Sequence, residues 1–169
     1  MGFNKILVPL DGSELAGLAV TRAAQIASPG ARIHLLSVVD SNCLEDMAIR
    51  DTVGLKITNF HKLDQLEKSA AESSDQEATD VYVRQRYLMQ YAQQLTGQGF
   101  EATVEIVGGY AASSIIATAG EGFDIIVMAT HSRTGLAKIF LGSVTEEVLH
   151  NLPCPILVVP AHISEPSPT

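Results

Sequence analysis

The chain has 169 residues, 46% hydrophobic and 18% charged, a composition that suits one globular domain and excludes wholesale disorder. A net charge of −8 excludes the clustered Lys and Arg that sequence-independent binding to nucleic acid or an anionic membrane needs, so no nucleic-acid or membrane partner is expected. Two cysteines, Cys43 and Cys154, lack metal-type spacing and exclude both a disulfide framework and a zinc site.

The first element is the apolar run Ile6-Leu7-Val8, which ends at Pro9. It is too short for the core of a signal peptide, and no stretch approaches the length of a membrane span. A cytoplasmic protein with reduced thiols is the expectation. A helical pattern follows over Ser13 to Ala27, with Leu15, Leu18, Ala19, Ala23 and Ile26 on one stripe. Ile33 to Val39 reads as the second strand. Residues 40 to 80 then hold ten acids and four bases, a net of −6 against −2 for the rest of the chain. This variable acidic segment (41–80) is expected to be a long connection, partly helical and partly mobile, either a lid or a solvated surface excursion. Gln76 to Leu95 carries Tyr87, Leu88, Tyr91, Ala92 and Leu95 at helical spacing, with Gly97 as a stop. Ala102 to Val107 is the third strand, Ala112 to Ala119 the next helix and Asp124 to Ala129 the fourth strand. Ser143 to Leu152 is a last helix, stopped by Pro153, and Ile156 to Val159 the fifth strand. The domain is read as residues 1–160, with 161–169 a loose tail containing two prolines.

Most of the strands are rich in Val and Ile and lack strict polar alternation, as strands covered on both faces do. Alternating strands and helices imply a mostly parallel α/β sheet with helices on both faces. In such sheets ligands bind outside the carboxyl ends of the strands, where the winding reverses. Attention therefore falls on Pro9 to Ser13, Val38 to Ser41, Gly108 to Ala111, and Ala129 to Ser143.

The last of these segments joins a strand to a helix and contains two glycines. Arg133 and Lys138 within it are the only Lys or Arg after Arg86. Amide hydrogens at Gly142, Ser143 and Val144, aided by the helix dipole, could hold a phosphate there. A side chain at Gly142 could block the close approach. Ser143-Val144-Thr145-Glu146 reads equally as a capping box that would use those amides internally.

Ile6-Leu7-Val8-Pro9-Leu10-Asp11-Gly12-Ser13 resembles the opening strand and turn of universal stress proteins. Ile125 to Leu136, followed by Leu141-Gly142-Ser143-Val144-Thr145-Glu146-Glu147-Val148, resembles their late signature, and Asn151 to Val159 is similar to their last turn and strand. The resemblance implies an open five-stranded parallel sheet, order 3-2-1-4-5, of the adenine nucleotide alpha hydrolase-like kind. It also implies a stress-response regulator binding ATP or another adenine nucleotide, with Mg as a candidate companion of the phosphates. The nucleotide-binding branch carries G-x-x-G-x9-G-[S/T]. Aligned on Gly142 and Ser143, its first two glycines fall on Ala129 and Ser132, so both depart from the pattern. The contacts so implied are Asp11 near the ribose and Val38 at the adenine, with Pro9, Leu10, Ala129, His131, Ser132, Arg133, Gly142, Ser143, Val144 and Thr145 as the other nucleotide-binding residues. Relatives often have proline where Ala111 stands; a normal helix start is still expected. The resemblance further implies a homodimer through the last strand, Pro155 to Val159, and a regulatory protein partner.

Asp11 reads either as a ribose contact or as a turn-capping residue. His131 is a loop histidine whose backbone N–H is the better phosphate donor, and Cys154, between two prolines, reads as a structural thiol. No P-loop, no G-x-G-x-x-G, no G-x-S-x-G elbow and no H-E-x-x-H is present, so at most a slow ATPase is expected and no catalytic residue is assigned. The rival reading is a dimeric protein-interaction module of the same family without nucleotide, to which Ala129 and Ser132 point.

Overall fold

The computed structural model describes residues 2–39, 55–57, 76–130 and 141–160. The elements run β1 (Phe3–Pro9), α1 (Gly17–Ile26), β2 (Ala27–Val39), β3 (Leu55–Ile57), α2 (Gln76–Gly97), β4 (Glu101–Gly108), α3 (Ala111–Ala119), β5 (Ile125–Thr130), α4 (Ser143–His150) and β6 (Ile156–Pro160). The sheet order is β3-β4-β2-β1-β5-β6. Its five long strands are all parallel and lie in the expected order 3-2-1-4-5. The addition is β3, which pairs antiparallel with β4 and comes from the acidic connection. The rest of that connection, apart from the start of α2, and the tail 161–169 lie outside the described residues.

Alternate residues along the strands feed two cores, one on each face. Ile6, Val8, Ile33, Leu35, Val104 and Ile106 pack under α1 and α2, where Ala19, Ala23, Leu88, Ala92 and Leu95 meet them. Leu7, Leu36, Ile126 and Met128 pack under α3 and α4 with Ala112, Ile115 and Val148. Burying each large aliphatic side chain stabilises the fold by about 1.5–3 kcal/mol, which is why strands of this composition settle between two helical layers. The winding reverses at β1, between β2 and β5, and the cleft described below opens there.

Helix ends depart from the sequence reading in two places. α1 begins at Gly17 rather than Ser13. Ser13 Oγ accepts the Ala16 N–H at 3.2 Å and i→i+3 bonds fill residues 14–19, so a tight turn precedes the α-helix. The stop of α2 is set by Gly99 rather than Gly97. Gly99 has φ +89°, its N–H reaches the Thr96 carbonyl at 3.0 Å, and the Phe100 N–H reaches the Leu95 carbonyl at 3.1 Å. That pair of bonds needs a left-handed residue, which glycine supplies without strain. α3 starts normally at Ala111, without proline.

Candidate functional site

A cleft of about 220 Å³ lies at the carboxyl ends of the strands, against a usual range of about 300–1,000 Å³ for small-molecule sites. Nine of the twelve residues singled out in the sequence line it: Pro9, Leu10, Asp11, Val38, Ala129, Gly142, Ser143, Val144 and Thr145. The other three, His131, Ser132 and Arg133, lie outside the described residues, as does Lys138. Ala16, Leu36, Ala111, Ile115, Met128 and Thr130 also line the cleft. Of these additions Thr130 is the informative one, because its hydroxyl is a polar group on a residue only 2% exposed. The period-2 alternation from Ile126 through Met128 was the available signal.

One wall is the end of β1. Leu10 N–H donates to the Leu36 carbonyl at 2.8 Å, and Ser37 Oγ donates to the Leu10 carbonyl at 2.9 Å, so the strand's exit is fastened to β2. At Asp11 the chain turns. Asp11 Oδ1 accepts the Ser13 N–H at 2.9 Å, the two-residue reach by which Asp closes a turn on its own backbone. The turn-capping alternative for Asp11 is thus realised. Gly12, in the middle of this turn, has φ +87°, a conformation costly for any residue with a Cβ.

The opposite wall is the start of α4, and here the capping box is absent. Gly142, not Ser143, is the N-cap, extended at φ −60° and ψ 153°, and no side-chain hydrogen bond caps the helix among the described residues. Glu146 N–H takes the Gly142 carbonyl at 2.9 Å, closing the first helical turn. The N–H groups of Ser143, Val144 and Thr145 come before the intrahelical ladder, so the helix itself supplies them no acceptor. Gly142 differs from the sequence reading: its N–H points to Thr130 Oγ1 at 3.4 Å. A hydroxyl oxygen can accept that long bond and still donate its own hydrogen. A Cβ built on Gly142 would meet nothing within 4 Å, so the position opens on free space beside the amides. Small residues at the rim, three helix-terminal amides and the positive end of a helix dipole together suit an anion.

Comparison with known proteins bears on this arrangement. The description "Universal stress protein family" matches residues 2–160. This chain belongs to the universal stress protein family. The universal stress protein MJ0577 of Methanocaldococcus jannaschii is 31% identical over 160 residues, covering 93% of this chain and 94% of that protein. The solved structure of MJ0577 superposes with a TM-score of 0.67 at 28% identity, over 97% of this chain and all (100%) of that one. Two more distant universal stress proteins share the fold. One was solved in complex with cAMP: 18% identity, TM-score 0.60, 96% of this chain and 100% of that one. The other, from Archaeoglobus fulgidus, was solved in complex with dAMP: 14% identity, TM-score 0.56, 94% of this chain and 98% of that one. Among the described residues no cluster of His, Cys, Asp or Glu could hold a metal ion, and no helix is long and apolar enough to cross a membrane.

Proposed function

We propose that this universal stress protein binds an adenine nucleotide in the cleft between the Asp11 turn and α4 and acts as a stress-response regulator through the surface that binding alters. The single observation that supports the reading is the uncapped start of α4, whose Ser143, Val144 and Thr145 amides meet the cleft where Gly142 leaves open space. Pro9, Leu10 and Asp11 are assigned to the ribose and Val38 to the adenine. The Val38 side is apolar, flanked by Leu36 and Met128, as an aromatic base requires. His131, Ser132 and Arg133 are assigned to the phosphates from the sequence pattern. Where the nucleotide is ATP, Mg would accompany its phosphates. That two distant relatives were solved with cAMP and dAMP favours a nucleoside monophosphate as the first ligand to try.

The proposal extends to a homodimer. Among the described residues β6 pairs with β5 on one side only, and its Ile156, Leu157 and Val158 are half-exposed, so a second copy adding its own edge would cover them. A regulatory partner would then read the nucleotide-dependent surface. A second reading, a dimeric interaction module without nucleotide, is favoured by Ala129 and Ser132 in place of glycines. Titration calorimetry with AMP, cAMP and ATP separates the two. Saturable binding in the micromolar range is expected, and no heat at high protein concentration would leave the interaction module standing.

A further inference from the structure

Hydrogen bonds hold three walls of the cleft. The exit of β1 is fastened to β2. The Asp11 turn is gripped by α2, where Arg84 Nη1 donates to the Asp11 carbonyl oxygen and Tyr87 Oη donates to the Ser13 carbonyl at 2.7 Å. The start of α4 meets the Thr130 hydroxyl. The fourth wall is the start of α3, where Ala111 and Ile115 line the cleft together with Val38. Its backbone is fixed as well. Gly109, at φ +133°, donates its N–H to the Val39 carbonyl at 3.0 Å, and the Tyr110 carbonyl accepts the Ser114 N–H at 3.0 Å. Between these two bonds stands Tyr110, the N-cap of α3, with its side chain 86% exposed to solvent. Among the described residues it is the only exposed Phe or Tyr, and its hydroxyl caps no helix. A ring left in water forgoes the large gain that aromatic burial brings. The cleft beside it has no aromatic ring among its described lining residues.

We propose that Tyr110 is the base-stacking residue of the site: its ring turns over the adenine and covers the face that the apolar wall of Leu36, Val38 and Met128 leaves in water. The inference rests on the nucleotide reading above. Adjacent Cα atoms are about 3.8 Å apart, so a ring carried next to Ala111 reaches the rim by a change of side-chain rotamer, while the Val39 and Ser114 bonds keep its backbone in place. The base is then held between an aliphatic wall and an aromatic ring, a contact open to any base because each has a π face. The cleft, at about 220 Å³, lies below the usual range for small-molecule sites, and a ring folded over its mouth supplies the missing cover.

Calorimetry with AMP on the intact chain tests this. Tyr110→Ala should weaken AMP about tenfold, the usual loss when one stacked ring is removed, while Tyr110→Phe should stay within about twofold of the wild type. Both variants should fold, because the side chain is exposed and caps nothing among the described residues. Tyr110→Trp gives a second readout. The chain has no tryptophan, so this variant carries a single indole, whose emission AMP should quench as the base stacks on it. Equal AMP affinity in the wild type and Tyr110→Ala overturns the proposal and leaves the nucleotide reading standing. So does indole emission that saturating AMP leaves unchanged. A loss in Tyr110→Phe as large as that in Tyr110→Ala also overturns it, since the hydroxyl rather than the ring would then be the contact. A wild type that does not bind AMP overturns it together with the nucleotide reading.

Discussion

The two ends of the sheet handle their polar groups in opposite ways. At the amino ends the polar groups are matched within the protein. Asp124 Oδ2 accepts the Asn4 and Lys5 N–H groups at 2.8 and 2.9 Å, and Lys5 Nζ reaches the Glu121 carbonyl at 2.7 Å while lying over the Phe123 ring. Arg32 makes a two-pronged contact with Glu101 at 2.9 and 3.1 Å. His34 sits buried between Thr103 Oγ1 at 2.7 Å and Glu105 Oε2 at 3.0 Å. At the carboxyl ends the start of α4 is uncapped and the Gly142 amide has only a long bond. Matched groups add to stability, whereas unmatched donors at a cleft are what a ligand can use. The amino end should therefore govern folding and the carboxyl end binding.

The largest break in that comparison should come from His34→Leu. It leaves Thr103 and the buried Glu105 each without a bond they now make, and about 3 kcal/mol of stability should be lost in urea unfolding. AMP affinity of the folded fraction should be unchanged, and a matching loss of affinity would show that the two ends are not separable. Gly142→Asp is the converse. Its backbone suits any residue and its Cβ meets open space, so the melting temperature should hold. A carboxylate among the α4 amides should weaken AMP at least about a hundredfold, some 2.8 kcal/mol.

Tyr87 sharpens the comparison through pH. Burial, then the neighbouring Tyr91 and Asp11, push its hydroxyl well above the ordinary value of 10.0, against a smaller opposing pull from Arg84. The folded state thus holds the Tyr87 proton more tightly than the unfolded chain. That contribution is complete below about pH 10 and is lost as pH rises towards the folded value. Ultraviolet titration should find one late tyrosine, absent in Tyr87→Phe, and the variant's stability should fall less steeply above pH 10. Arg32→Ala should have the smallest effect, under about 1 kcal/mol, because both partners are about half exposed at 49% and 55%. A larger loss would mean that the pair supports the His34 cluster beside it.

The strands were legible because Ile33 to Val39 or Asp124 to Ala129 can hardly be anything but buried β. The late signature was legible because its glycine and hydroxyl spacing is local. Three features were not. The three-residue β3 carries no periodicity long enough to read, and only its pairing with β4 makes it a strand. The choice between capping box and open amides turned on whether Ser143 or Gly142 is the N-cap, a difference of one residue that the tether from Thr130 accompanies. Tyr87 read as part of the apolar stripe of its helix and Arg84 carried no signal, since nothing near them in sequence reveals a turn more than seventy residues away.

By itself the sequence determined the alternation of elements, the parallel α/β class and the segments from which a site could be built, because hydrophobic period and turn chemistry act over a few residues. Only the tertiary structure decided which polar groups meet. His34 with Glu105, the Asp11 turn with α2, and the bare end of α4 with the cleft are long-range encounters. They are set by how the strands align when the two cores are buried, and no local pattern encodes that alignment.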